Sequence, residues 1–240
     1  MDLQDLKKKF IKEELKISNN FSEIIAFVDF GNVNYWFEDD RQTYDYVELK
    51  SDEKFYIDVE KLKDFLDIFS KDIRFYYGHD PKNSGSLGFI RKAKYVFGGS
   101  RVFTKPMQKI RHYLNSNEEI AQNTRELHCD CEGKFIHIPK CNFDVEISVD
   151  AIKVIDHYDT FCLLSGDADF VHLARFLKEK GKKMILIKGG FVVRQLKEIA
   201  DLVINAQDIK KYIAIVKQKP GIEPGFADRK TQIHGQDDPK

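Results

Sequence analysis

Two aspartates one residue apart follow an apolar run in the stretch FCLLSGDADF, residues 161–170. Asp167 and Asp169 come directly after Ser165 and Gly166, where apolar sequence gives way to polar sequence. One explanation is structural, because aspartate caps helices and the corner between a strand and a helix needs a cap. The other is chemical: crowded carboxylates repel each other unless a cation lies between them, so the pair is a candidate metal site.

Two further segments place polar groups in a similar setting. The segment FVDFGNVNYWF has Asp29 at the end of an apolar run and Asn32 three residues later. The segment CNFDVEISVDAIK opens a helical pattern at Asp144 and puts Glu146 and Asp150 four residues apart, on one helical face. Oxygen ligands of this kind suit Mg²⁺ or Mn²⁺. Such a site could activate water and stabilise the charge that develops during phosphodiester cleavage.

Short apolar runs rich in β-branched and aromatic residues alternate with helical patterns along the chain. The runs that predict buried strands are 24–29, 73–78, 101–105, 161–165, 184–188 and 202–205. The helical patterns cover 59–69, 89–97, 145–157 and 170–177. The alternation predicts a doubly wound α/β fold with a mainly parallel sheet. Because ligands bind outside the carboxyl ends of parallel strands, the acidic segments are expected to share one edge.

Four motifs in this order resemble the NYN domain family of the PIN-like nuclease superfamily, in particular its LabA-like branch. They are VDFGNVNYWF, FDVEISVDAIK, LLSGDADFVHLARFLKEKGKKMILI and LKEIADLVINAQDI, and the resemblance runs from about Ile24 to Tyr212. It implies a Rossmann-like, three-layer α/β fold of the PIN/NYN type. It also implies a metal-dependent ribonuclease site that is built from aspartates and holds Mg²⁺ or Mn²⁺.

The resemblance assigns roles to individual residues of this chain. Asp29, Asp144 and Asp167 are expected to be metal ligands and catalytic carboxylates. Asp150 and Asp169 occupy further acidic positions, Asp150 as an additional metal ligand and Asp169 as an additional catalytic group. The expected supporting side chains are Asn32, Ser165 and Glu146.

Two other classes of function are compatible with parts of this pattern. The same fold could serve as a non-catalytic RNA-binding or regulatory module. An aspartyl phosphatase acting through Asp29 would need a second acid two residues later, where this chain has Gly31. We therefore rank the phosphatase below both RNA hypotheses.

A basic segment indicates nucleic acid as the partner. Lys plus Arg and Asp plus Glu number 39 each, yet residues 81–117 contain no acidic side chain. Cations there could hold RNA phosphates while interleaved aromatic residues stack on unpaired bases, although several of these aromatics are expected in the core. The candidate RNA-binding residues are Lys82, Arg91, Lys94, Lys105, Lys109 and Arg111.

The segment HCDCEGKFIHIPKC, which reads as an insertion ahead of Asp144, permits two interpretations. Cys129, Cys131, His137 and Cys141 could hold a structural Zn²⁺, although the Cys-x-Cys spacing is tighter than usual. The alternative is a β-hairpin around 128–141, turning at Glu132-Gly133, with reduced thiols.

The two ends of the chain differ in composition from the middle. Residues 1–20 predict an amphipathic helix with Leu3, Leu6, Phe10 and Leu15 near one face, suited to packing or to a homodimer. Residues 21–217 are expected to form the nuclease domain and 218–240, rich in Pro and Gly, a disordered tail. No apolar run is long enough to span a membrane, and the chain shows no signal peptide. We therefore expect a cytoplasmic protein, with a regulatory protein as a further candidate partner.

Overall fold

A computed structural model describes residues 3–114 and 127–218. The strands are β1 (Ile24–Asp29), β2 (Glu53–Ile57), β3 (Asp72–His79), β4 (Val102–Pro106), β5 (Gln108–Tyr113), β6 (His128–Asp130), β7 (Gly133–Lys140), β8 (Thr160–Leu164), β9 (Lys183–Lys188), β10 (Leu202–Asn205) and β11 (Ala214–Gln218). The α-helices are α1 (Leu3–Glu14), α2 (Phe30–Val33), α3 (Val59–Leu66), α4 (Ser84–Phe97), α5 (Asp144–Lys153), α6 (Val171–Glu179), α7 (Arg194–Ile199) and α8 (Ala206–Ile213).

The central layer is a six-stranded sheet in the order β10-β9-β8-β1-β3-β4, and every neighbouring pair in it is parallel. The predicted runs 24–29 and 202–205 coincide with β1 and β10, and the other four predicted runs lie within one residue of a strand at each end. The mainly parallel α/β fold is therefore confirmed. The carboxyl ends of β1, β3, β4, β8, β9 and β10 lie at one edge of this sheet.

Helices cover both faces of the sheet, because successive side chains of a buried strand point to opposite sides. In β1, Ile24, Ala26 and Val28 pack into one core with α1, α2, α3, α4 and α8. Ile25 and Phe27 pack into a second core with α5, α6 and α7. The result is the three-layer architecture that the sequence predicts.

Two smaller sheets lie outside the six predicted runs. β2 and β11 form an antiparallel pair, and β5, β7 and β6 form an antiparallel sheet in that order. The hairpin interpretation of the cysteine segment is confirmed, since Cys129 pairs with Lys134 and Asp130 with Gly133. The turn residues are Cys131 and Glu132, one position earlier than expected, and Gly133 begins β7 at a φ of +132°.

Most of the apolar stripe predicted for α1 is not buried within this chain. Leu3, Leu6 and Phe10 are 79%, 50% and 62% exposed, whereas Ile11 and Leu15 are buried. Ile11 faces the core one position beyond Phe10, so the buried face is rotated away from the predicted stripe. None of the helices in the described ranges combines the length and hydrophobicity needed to cross a bilayer. The tail predicted at 218–240 lies, after Gln218, outside the described residues.

Gly78 near the end of β3 allows the segment before α5 to approach the central sheet. A Cβ at this position would lie 2.3 Å from Cys141 Cβ and 2.6 Å from Cys141 Sγ. Non-bonded contacts this short are essentially never seen for a Cβ atom, so a larger residue than glycine would force neighbouring atoms to move. The position of Cys141, three residues before Asp144, thus depends on the missing side chain of Gly78.

We expect Gly78→Ala to lower the free energy of unfolding by about 1 to 3 kcal/mol, as overpacking does. Cys141→Gly in the same chain should recover part of the loss, whereas Cys141→Ala should recover less because its Cβ remains. Gly99→Ala is the control, since nothing lies within 4 Å of a Cβ there. Urea denaturation of the four variants measures these differences. Equal stability of Gly78→Ala and Gly99→Ala would contradict this role of Gly78.

Candidate metal centre

The loop after β8 begins with buried polar groups. Ser165 is fully buried, and its Oγ accepts a hydrogen bond from the Asp167 backbone N–H at 3.2 Å. The Asp167 carboxylate accepts from the Asp169 N–H at 3.1 Å and caps a 3₁₀ turn over Ala168–Phe170. The capping explanation for Asp167 is therefore confirmed, but it leaves the remaining lone pairs of the carboxylate available.

Asp29 at the end of β1 is joined to this loop. Ser165 Oγ donates to Asp29 Oδ2 at 3.0 Å, so the tips of β1 and β8 are connected by one hydroxyl group. Burial raises the pKa of Asp29, and the negative charge of Asp167 raises it further, while the hydrogen bond from Ser165 opposes both effects. Asp29 is therefore a largely dehydrated carboxylate facing like charge.

Asn32 connects α2 to the same loop. Its Oδ1 accepts from the Gly166 N–H at 3.1 Å and from Trp36 Nε1 at 3.0 Å. Both lone pairs of the amide oxygen are therefore used: one fixes the backbone just before Asp167, and the other binds the Trp36 ring. The sequence marks Asn32 as a supporting residue but gives no sign of its Trp36 donor.

Asp144 reaches the site from the opposite side of the cavity. It is the first residue of α5, and its N–H donates to Asn142 Oδ1 at 2.7 Å. Oxygen atoms of Asp144, Asp167 and Asp169 all lie within 4.8 Å of one another. Three carboxylates from two separate segments thus converge, as the position of the acidic segments at strand ends predicts.

The electrostatics of Asp144 show the cost of this convergence. Burial raises its pKa to about 6, with further contributions from the charges of Asp167, Asp29 and Asp169. Its Oδ2 is buried, and no donor among the described residues reaches it. A divalent cation would satisfy this oxygen and offset the repulsion, so the donor set fits Mg²⁺ or Mn²⁺.

A cavity of about 210 Å³ opens between these side chains. Its described lining consists of Asp29, Gly31, Asn32, Lys140, Cys141, Asn142, Phe143, Asp144 and Asp167. Sequence reasoning did not identify Lys140 or Asn142 as part of the site. An Asn two residues before the first residue of a helix is a recognisable capping signal, whereas Lys140 belongs to β7 and reaches the site only through the tertiary fold.

Asp150 and Glu146 lie apart from the convergent carboxylates. Asp150 Oδ2 accepts from Tyr76 OH at 2.9 Å and lies 3.9 Å from Arg74, both on β3, and Asp150 Oδ1 lies 3.9 Å from Lys153. Glu146 forms an ion pair with Lys105. The expectation that Asp150 is a metal ligand is thus not supported by its surroundings, because its charge is already balanced by Arg74.

The four residues predicted to bind zinc cannot share one ion in this fold. Cys129 pairs with Lys134, so it lies on the face of β7 opposite to His137. Cys141 follows β7 and is roughly 23 Å along the strand from Lys134, at about 3.3 Å per residue. Cys141 also packs against Gly78, and burial raises the pKa of its thiol. We therefore correct the zinc prediction.

The predicted RNA-binding cations fall into two groups. Lys105 is paired with Glu146, and Arg111 is paired with Asp130 at 3.1 Å. The others form no ion pair with a carboxylate in the described part of the chain; these are Lys82, Arg91, Lys94 and Lys109. Lys105 lies at the carboxyl end of β4 and lines a second cavity together with Asp144 and Asp169.

The fold and the site define a three-layer α/β domain with convergent carboxylates at the carboxyl edge of a parallel sheet. The NYN domain profile matches residues 23–210, and the chain belongs to the NYN domain family. This family lies within the PIN-like nuclease superfamily, whose NYN members generally use divalent metal ions.

Two individual proteins are similar to this chain. The Low amplitude and bright protein LabA of Synechococcus elongatus is 29% identical over 90 residues, which are 37% of this chain and 48% of LabA. The chain thus spans about half the length of this curated relative. The crystal structure of a protein of unknown function, VPA0982 from Vibrio parahaemolyticus, matches 82% of this chain and 99% of its own at a TM-score of 0.51 and 20% identity. This second likeness concerns the fold alone.

We expect saturating Mn²⁺ to raise the Tm of the wild-type protein by about 5 to 10 °C, since a ligand at 100 times its Kd stabilises by about 2.7 kcal/mol. Asp167→Asn keeps the side-chain oxygen that caps the 3₁₀ turn but removes a charge. Without metal it should melt at or above the wild-type Tm, and Mn²⁺ should raise its Tm far less.

Asp150→Asn is the matched control for this measurement. It should lower the Tm, because Arg74 loses its counter-charge, yet it should retain the rise with Mn²⁺. Thermal melts of the three proteins in Mn²⁺ and in EDTA measure the effect. A response to Mn²⁺ that is lost in Asp150→Asn and kept in Asp167→Asn would contradict this assignment of the ligands.

Proposed function

We propose that the protein is a metal-dependent ribonuclease that hydrolyses phosphodiester bonds of RNA. The observation that carries the proposal is the convergence of Asp144, Asp167 and Asp169 within 4.8 Å, with Asp29 lining the same cavity. Membership of the NYN family supports the reaction class, and the donor set supports Mg²⁺ or Mn²⁺. These four aspartates would hold the cation.

A divalent cation bound there would lower the pKa of water and offset the negative charge that builds up on the phosphate. The chain itself holds the ligands in place. Ser165 fixes the carboxylate of Asp29, and Asn32 fixes the backbone before Asp167. Because these partners are already oriented in the folded chain, little reorganisation is needed when substrate arrives.

Lysines near the acids support a phosphate-containing substrate. Lys140 lines the acidic cavity, and Lys105 lines the adjoining one with Asp144 and Asp169. A substrate phosphate could replace Glu146 as the partner of Lys105. The ammonium group of Lys105 would then bind the RNA strand that is cleaved. The positive charges would then hold the RNA backbone on the side of the cavity formed by β4 and β7.

The test is a cleavage assay on end-labelled single-stranded RNA with Mn²⁺, Mg²⁺ or EDTA. We expect cleavage only with a divalent cation. Asp167→Asn should lower the cleavage rate by at least about 100-fold, because mutation of residues that merely support metal ligands already lowers activity by up to about that factor. Asp150→Asn, the same chemical change in a carboxylate that lies apart from the cluster, should retain most activity. Binding of RNA without cleavage in every metal would contradict the proposal and favour a binding module.

The lysines should contribute to binding through charge rather than through the chemical step. Lys140→Ala is expected to weaken RNA binding and to reduce the slope of log K against log salt concentration by about 0.7, the value for one phosphate contact in a single strand. Lys8→Ala on α1 removes the same charge elsewhere and is the control. Fluorescence anisotropy in EDTA at several salt concentrations measures both slopes. Identical slopes in the two variants would move the phosphate contact away from Lys140.

A further inference from the structure

An exposed phenylalanine lies in the loop between β9 and α7, whose backbone approaches the residue before Asp167. Phe191 is 87% exposed, while the next residue, Val192, is buried in the core. Single exposed apolar residues are common on protein surfaces and need no explanation by themselves. The surroundings of Phe191 distinguish it from such residues in two ways.

The first is that its loop is held in place at both ends. The Trp36 ring lies so close to Gly189 that a Cβ there would be 2.4 Å from Trp36 Cδ1. Lys188 Nζ donates to the carbonyl of Gly190 at 2.9 Å, and Val192 anchors the other side of the loop. Phe191 is therefore presented to solvent by a fixed backbone, so little conformational entropy is lost when its ring is covered.

The second is its position relative to the acids. A Cβ on Gly166 would lie 3.5 Å from the carbonyl oxygen of Phe191 and 3.2 Å from Val192 Cγ2. Gly166 is the residue directly before Asp167, and its N–H is held by Asn32. The loop that carries Phe191 thus touches the backbone that carries a proposed metal ligand.

We propose that Phe191 stacks on an unpaired base of the RNA next to the scissile phosphate, so that the site selects single-stranded RNA. This inference rests on the proposed function. An aromatic ring offers a base a stacking surface whatever its identity, and the bases of a duplex are already stacked on each other. Lysines on the β4 and β7 side would hold the phosphates of the same strand.

A base fits the observed surface better than a protein partner does. One ring is enough to stack on one base, whereas a stable protein interface buries about 800 Å² on each partner. The neighbours of Phe191 in the loop, Gly189 and Gly190, add no apolar side chain. The acidic cavity is polar, with lysine and aspartate in its lining, which suits a charged backbone more than an apolar protein surface.

The test measures binding rather than cleavage, in the Asp167→Asn background with EDTA. The probes are a fluorescein-labelled 12-nucleotide RNA, the same strand annealed to its complement, and the same strand with abasic sites at successive positions. We expect Phe191→Ala to weaken binding of the single strand by about 5- to 100-fold and of the duplex by less than about twofold. Phe191→Tyr should restore binding, and Phe10→Ala on α1 should have no effect.

At one position of the strand, an abasic site should weaken binding to the parent protein as much as Phe191→Ala does. The same abasic site should not weaken binding to Phe191→Ala any further. Phe191→Trp adds an indole whose fluorescence should be quenched by the single strand beyond any change seen for Trp36 alone. Equal losses for single strand and duplex, unchanged binding in Phe191→Ala, or failure of the parent protein to bind RNA would each overturn the inference. This test measures binding alone, so its result is independent of the cleavage assay. Stacking of Phe191 on a base, together with no cleavage in that assay, would refute only the nuclease proposal.

Discussion

Repulsion between carboxylates gathered at one edge of a parallel sheet is the constraint on which the rest of the site depends. Asp29 and Asp144 both have raised pKa values because burial and neighbouring aspartates disfavour their charged forms. A chain that keeps such groups together without a cation must compensate with hydrogen bonds. Ser165 supplies such a bond to Asp29, and the Asn32 side chain holds the backbone of Gly166, so both residues also set the direction of the loop after β8.

The supporting network divides the acids according to their surroundings. Asp29 and Asp167 are tied to each other through one hydroxyl, whereas the backbone N–H of Asp144 is tied to Asn142 at the start of its own helix. Asp150, although it lies on the same helix as Asp144, has Arg74 and Tyr76 as neighbours and belongs to the packing between α5 and β3. Two aspartates within two turns of α5 thus differ in surroundings: Asp144 belongs to the proposed cation site and Asp150 stabilises the fold.

The sequence predicts the parts of this structure that depend on local pattern. Buried parallel strands are nearly continuous apolar runs, so β1 and β10 are found at their true limits, and acids at strand ends meet because parallel strands share an edge. What cannot be predicted depends on contacts between distant segments. The orientation of α1 follows from tertiary packing of Ile11. The short strands β2 and β11 contain the charged residues Lys54 and Lys217, so neither is the continuous apolar run that marks a buried strand. Cys129 and Cys141 are close in sequence, but an intervening strand holds them far apart.

The approach of Cys141 to Gly78 has a consequence for how the site comes together. Asp29 and Asp167 lie at the carboxyl edge of the central sheet, whereas Asp144 lies between β7 of the small sheet and α5, which packs into the second core. Structures open in local units with free energies below that of global unfolding. Loosening of the small sheet from Gly78 would move Lys140 away from the cavity, while α5 continues to hold Asp144 through the second hydrophobic core. The completeness of the site and the stability of the fold are therefore separate quantities in this chain. Amide hydrogen exchange would show a lower opening free energy for the small sheet than for the two cores.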